Sequence, residues 1–280
     1  MANDSGGRMP AIFIGHGSPM NALEDNRWTA AWRNLAVAMP RPKAIVVVSA
    51  HWLTNGTAVT AMPFPPTIHD FHGFPRALFD MRYPAPGDPL LARRIQALLA
   101  PVEVVPDREW GLDHGTWSVL ARAFPAADIP VLQLSIDATR PAAWHLETGR
   151  RLAALREEGV LLMATGNVVH NLRMMRRDGE PYDWARRFDD RVRELLLAGR
   201  VDQLASYADW GQDALLSVPT AEHFLPLLYV AGALQPDERV EIAADGFALG
   251  AISMLSAVVG PIDADKETGA APAGGTGYSV

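Results

Sequence analysis

The sequence contains no cysteine. That absence removes disulfides, iron–sulfur clusters, thiolate zinc sites and thiol nucleophiles together, so any metal must be held by histidine or a carboxylate. Long apolar runs are also missing. No stretch reaches the roughly 18 residues a membrane-spanning helix needs, and the opening "MANDSGGRMP" lacks the apolar segment of a secretory signal. A cytoplasmic protein is expected. Nor is there a basic surplus: 25 Lys and Arg against 32 Asp and Glu leave a formal charge of -7. Such a chain repels nucleic acid and anionic lipid on average, which favours a small or neutral substrate. Nothing in the sequence indicates an oligomer, and nothing excludes one.

A nucleophile elbow is missing as well. "GHGSP" places Gly17 and Pro19 where G-x-S-x-G would need Ser and Gly, and Gly277-Tyr278-Ser279 runs off the chain end. Serine-hydrolase chemistry loses its main signature.

What is present is a chain of 280 residues, 49% hydrophobic, long enough for one sizeable α/β domain. Apolar, β-branched runs at 11–14, 44–50, 57–62, 102–105, 129–136, 160–165 and 239–243 read as strands, with "ALGAISML" (248–255) a weaker candidate. Helical patterns at 26–39, 88–100, 140–158, 183–198 and 221–234 alternate with them. In the third, Thr139 is the expected cap, Pro141 suits the first turn and Gly159 the stop. This alternation predicts a three-layer α/β/α fold with a mixed, largely parallel central sheet. A single domain over 1–261 is expected, followed by a Gly-, Ala- and Pro-rich tail over 262–280 that lacks the apolar surface to order itself. The proline- and aromatic-rich segment "MPFPPTIHDFHGF" breaks the rhythm and reads as a binding loop or a packed surface loop.

The eight histidines carry the functional argument. His16 follows "AIFIG", His51 follows "AIVVVSA", and His170 lies five residues beyond "VLLMAT". In open α/β sheets the carboxyl edge of the strands is where ligands bind. Neutral imidazole ligates zinc or iron, and histidines from separate strands can converge without any local spacing motif. His114 in "GLDHGTW" could be aimed from a compact turn as an acid or base, or could simply open a helix capped by Asp113. His223 in "PTAEHFLPLL" sits near the start of an apolar helix, with Thr220 as the expected cap. His69 and His72 could line a substrate pocket from the aromatic loop, whereas packing or a surface hydrogen bond suffices for His145.

Taken in order, "FIGHGSPM", "VVVSAHW", "PPTIHDFHGFP", "YPAPG", "GLDHGTW", "VLQLSID", "GNVVHNL" and "EHFLPLLYV" resemble the class III extradiol ring-cleaving dioxygenases of the 4,5-DOPA extradiol dioxygenase type, over residues 9–258. "GHGS" alone is shared with cobalt chelatases, but the ordered set is specific. The resemblance implies an α/β/α fold around a mononuclear metal site. It matches His16, His51 and His223 to metal ligands, His170 to a further ligand or an acid–base group, and His114 to a second active-site histidine. Protocatechuate-type relatives use a carboxylate as third ligand, so Glu222 competes with the adjacent His223; His223 is favoured. The implied reaction is metal-dependent cleavage of a catechol, DOPA-like or related, by dioxygen to a muconic semialdehyde. Fe²⁺ is the implied working metal, and Zn²⁺ suits a histidine-rich site. Two other classes fit the histidines alone: a zinc hydrolase or lyase using metal-bound hydroxide, and a chelatase-like metal-binding module.

Overall fold

The computed structural model describes residues 7–176 and 178–262; most of the tail expected over 262–280 lies outside them. The first half of the chain forms β1 (Ala11–Gly15), α1 (Arg27–Ala38), β2 (Ala44–Thr54), β3 (Thr57–Thr60), α2 (Arg76–Asp80), α3 (Pro89–Leu99), β4 (Val104–Asp107) and α4 (His114–Ala123). β5 (Val131–Asp137), α5 (Ala142–Leu152), α6 (Ala154–Glu157), β6 (Val160–Gly166), α7 (Asp183–Leu197), α8 (Gln212–Ser217) and α9 (Leu225–Gly232) follow. The chain closes with β7 (Val240–Ala244), β8 (Phe247–Ala248), β9 (Ile252–Ser253) and β10 (Ser256–Val259).

Eight strands make one mixed sheet in the order β4-β3-β5-β2-β6-β1-β10-β7. β1, β2, β5 and β6 run parallel at its centre, while at one side β10 pairs antiparallel with both β1 and β7. Side-chain alternation separates two cores, as the two-residue period of a strand requires. Ala11, Phe13, Val46, Val48, Leu162 and Ala164 face the layer of α3, α5, α7 and α9. Ile12, Ile14, Ile45, Val47, Leu161 and Met163 face α1 and α4, where Trp28, Trp32 and Trp117 fill the space. The three-layer α/β/α expectation therefore holds. Every residue of α9 is buried, in keeping with its apolar sequence on all sides.

Several local expectations change. Thr139 does not cap a helix, because its hydroxyl donates to Asp137 Oδ1 at 2.6 Å and Pro141 takes the cap position. The pattern over 140–158 divides at Ala153 into α5 and α6. The pattern over 221–234 becomes a 3₁₀ turn, Ala221–His223, followed by α9, because Pro226 has no N–H to give to the turn before it. Thr220 offers that turn no cap; its hydroxyl donates to Glu222 Oε1 at 2.7 Å. "ALGAISML" is not one strand: Leu249 and Gly250 adopt φ of 51° and 70° and turn the chain between β8 and β9. The strand that joins the main sheet is the next stretch, β10.

Candidate metal centre

β6 lies between β1 and β2, so the carboxyl ends of three parallel strands are contiguous. His16 follows β1 directly, and its backbone is fixed on both sides. Its N–H donates to Gly166 O at 3.1 Å, and its carbonyl accepts from the buried Asn21 side chain at 2.9 Å. Gly17 follows at φ 59°, a left-handed conformation that suits glycine and lets the chain turn away from the strand. His51, expected just past the end of its strand, instead lies within β2. The register with β5 breaks between Val48 and Leu53, and this irregularity sets His51 apart from the regular ladder. His170 follows the loop after β6 and donates its N–H to Ser217 O at 2.9 Å. His114 opens α4 beneath an Asp113 cap that accepts from Thr116 N at 3.1 Å. His223 ends the 3₁₀ turn and lies against β6, its carbonyl accepting from Asn167 N at 2.9 Å.

These five histidines form one cluster. Ring centroids stand 5.1 Å apart for His16–His51, 5.5 Å for His16–His223, 5.1 Å for His51–His223 and 3.9 Å for His51–His114. His170 stacks on His223 at 3.4 Å. His16, His114 and His223 are buried, while His51 and His170 keep partial exposure. Nitrogen and oxygen atoms of His16, His51 and His114, and of His170, Glu222 and His223, approach closely enough for either trio to hold an ion.

Burial, reinforced by the neighbouring imidazoles, holds His16 and His223 well below the usual histidine pKa. Burial likewise lowers His51 to about 3 and His170 to about 4. All four are therefore neutral near pH 7, the state in which imidazole ligates. The Nε2 atoms of His16 and His51 face each other at 3.1 Å. Two such nitrogens either share one proton or share one cation. Ligands bound to a common ion at roughly 2.0–2.1 Å stand about 3 Å apart, so the spacing fits a metal. Among the described residues, His16 Nδ1 is buried without a hydrogen-bond partner, so none of them holds this ring through its other nitrogen.

Carboxylates stand behind two of the rings. Glu222 Oε1 lies 3.1 Å from His223 Nδ1, which leaves Nε2 of that ring free. Asp70 Oδ2 lies 2.9 Å from His114 Nδ1, and Asp70 Oδ1 accepts the His114 backbone N–H at 2.9 Å. Despite the desolvation that opposes ionisation, hydrogen bonds from His114 hold the Asp70 carboxyl below its usual pKa. Sequence reasoning missed Asp70; its only local signal was an acid between His69 and His72 in the aromatic loop. Beneath the cluster the buried Asp113 accepts from Ser49 Oγ at 2.7 Å and Gln133 Nε2 at 2.6 Å, and burial raises its pKa. Ser49 Oγ in turn accepts from His51 N at 3.3 Å.

His69 and His72 are not brought into the cluster. His69 packs its ring on Trp117 at 5.5 Å and sets Nε2 3.1 Å from Met81 O, while His72 is exposed. Phe71, between them, reaches the cluster, its ring meeting His114 edge-on at 5.6 Å. His145 is buried remote from the site, with Nδ1 2.9 Å from the Tyr229 hydroxyl. Among the described residues no helix is long and apolar enough to cross a membrane.

Comparison with known proteins agrees with this geometry. The family described as the catalytic LigB subunit of aromatic ring-opening dioxygenase matches residues 10–260. The chain is 57% identical over 259 residues to the 4,5-DOPA dioxygenase extradiol of Escherichia coli K12, a match covering 90% of this chain and 95% of that protein. It is 38% identical over 240 residues to the 4,5-DOPA dioxygenase extradiol of Beta vulgaris, covering 82% and 89% respectively. A crystal structure of an uncharacterized Escherichia coli K12 protein matches with a TM-score of 0.80 at 51% identity, covering 90% of this chain and 100% of that one. Histidines converging on adjacent strand ends, and a match that runs through nearly all of the sheet, lead to one conclusion: the chain belongs to the LigB family of aromatic ring-opening dioxygenases, enzymes that cleave the ring by the extradiol route.

Proposed function

We propose that the protein opens a catechol ring beside its diol, with a DOPA-like catechol as substrate class and Fe²⁺ as the working metal. The observation that carries this reading is the pair of neutral imidazoles, His16 buried and His51 partly so, whose Nε2 atoms face at 3.1 Å, with His223 on their third side. His16, His51 and His223 would hold the ion. Glu222 is engaged at His223 Nδ1 and supports the ring from behind, which favours His223 over Glu222 as the ligand. When bound, ferrous iron supplies the electron transfer between catechol and dioxygen that zinc, lacking redox chemistry, does not.

The protein's own groups supply the rest. His114, backed by Asp70, is placed to take a proton from a substrate hydroxyl. His170, held neutral by the burial that lowers it to about 4, has a nitrogen lone pair to offer, though as a weaker base than an ordinary histidine, and is a second candidate base beside His223. Phe71, packed with Phe74 and Phe79 at 5.3 and 5.0 Å, forms an aromatic wall against His114 that suits a planar ring. The test is oxygen uptake on adding DOPA or catechol to anaerobically iron-loaded protein, with appearance of a yellow semialdehyde. Hydrolysis of an ester by zinc-loaded protein, without oxygen uptake under iron, would assign the hydrolase reading instead. Metal binding with neither activity would leave a chelatase-like module.

A further inference from the structure

We infer that Asp70 is a positioning residue that fixes the proton of His114 on Nδ1 and so presents a bare Nε2 for chemistry. The inference rests on the proposed role of His114 as a proton carrier. One carboxylate grips the histidine twice: Oδ1 accepts its backbone N–H and Oδ2 faces its Nδ1, both at 2.9 Å. A backbone N–H only donates, so the position of Oδ1 must be an acceptor. An ionised Oδ2 is also only an acceptor, so the ring must answer it with Nδ1–H. The same oxygen lies 3.9 Å from His51 Nδ1 and biases that ring in the same sense.

The loop that carries Asp70 is docked on the helix that carries His114. Trp117 Nε1 donates to Ile68 O at 2.7 Å, and the rings of His69 and Phe71 lie 5.5 and 6.2 Å from that of Trp117. Ile68 N and Leu112 N exchange further bonds across the loop, the first with Leu112 O and the second with Pro66 O, both at 2.8 Å. The contact could therefore serve only to fasten loop to helix. Two substitutions separate fastening from tautomer control. In Asp70→Asn the amide oxygen must stay on the backbone N–H, which turns the NH₂ group toward Nδ1. Both hydrogen bonds survive, but the ring proton moves to Nε2 and blocks the base. In Asp70→Ala both bonds are lost and the ring is free to adopt either tautomer.

If Asp70 sets the tautomer, Asp70→Asn is the slower enzyme. Its kcat should fall about 10²-fold or more, as when an aspartate that orients a catalytic histidine becomes asparagine, with KM and metal content little changed. Asp70→Ala should lose less. Nitrogen-15 spectra of ring-labelled histidine in zinc-loaded, diamagnetic protein should show His114, assigned by its loss in His114→Gln, with Nδ1–H in the wild type and Nε2–H in Asp70→Asn. An Asp70→Ala variant slower than Asp70→Asn, or an Nε2–H tautomer in the wild type, overturns the inference. Should no catechol be opened even by the wild type, the proposed function fails while the spectra still decide the tautomer.

Discussion

Gly166 ties two candidate ligands together, and adding a single methyl group there tests the geometry of the whole centre. Its carbonyl accepts from His16 N at 3.1 Å, and its Cα faces the backbone of His223. A Cβ at this position would stand 2.2 Å from His223 O, whereas ordinary contact begins near 3.4 Å, so the two must separate by roughly 1.2 Å. No rotamer relieves the clash, because it lies between backbones. The His223 carbonyl also accepts from Asn167 N at 2.9 Å, so the displacement strains that bond as well. Gly166→Ala should cost about 1–3 kcal/mol, the range for overpacking a closely packed interior. At about 2–4 °C per kcal/mol for a chain near this size, melting of the metal-free protein reads it directly. Displacing a ligand-bearing backbone by about 1 Å should also weaken metal binding by roughly 10–100-fold, measured by competition with a chromophoric chelator. Gly7→Ala, where a Cβ meets nothing within 4 Å, is the control and should stay within about 0.5 kcal/mol. A Gly166→Ala protein that melts and binds metal like the wild type would show that the turn carrying His223 does not rest on β6.

Other expectations follow from the same cluster. His16→Ala and His51→Ala should each abolish stoichiometric metal binding while the circular dichroism of the fold persists; full occupancy in both, by elemental analysis, would remove them as ligands. His114→Gln should keep its metal and lose turnover on the order of 10²-fold. His170→Gln should also slow, and its metal content assigns the role: retained metal marks a base, lost metal a ligand. Acid should destabilise the metal-free protein. Burial holds His145 and His170 at about 4 and His51 at about 3, below the ordinary 6.5, so as pH falls the unfolded chain takes up protons first. Their contribution is complete above about pH 6.5 and is lost as pH falls toward about 4, by at most about 1.4 kcal/mol per pH unit for each histidine. His145→Gln, remote from the metal, should flatten the dependence, and a melting temperature that rises on acidification through this window would contradict the assignment.

The sheet was legible because its strands announce themselves by a two-residue period between two cores: "AIFI" and "VLLMAT" each send alternate residues to opposite layers. His16 could be placed by its position after such a run, with glycine on each side. His51 was legible as a histidine near the end of a strand but not in its conformation, since a break in pairing with β5 depends on a strand more than 80 positions away in the sequence. β10 was overlooked because "SAVV" is only four residues long and follows a hairpin whose turn places Leu249 at positive φ, a conformation that leucine does not advertise.

Asp70 shows where sequence reading stops for a physical reason. Its partner His114 is 44 residues away, and the contact exists only because a loop with no helix or strand of its own is pinned to α4 through Trp117 and to the segment before α4 through Leu112. Neither His69 nor His72 enters the cluster, so counting imidazoles did not lead to the member of "HDFHGF" that contacts it through a carboxylate. The informative residue was the acid. Among prolines and aromatic rings, with no ion pair to Lys or Arg among the described residues, an aspartate side chain that loses most of its solvent needs donors, and His114 supplies two. A carboxylate in a loop of prolines and aromatic rings is thus a search term for a distant histidine, and here it leads to His114, the ring proposed to take the substrate's proton.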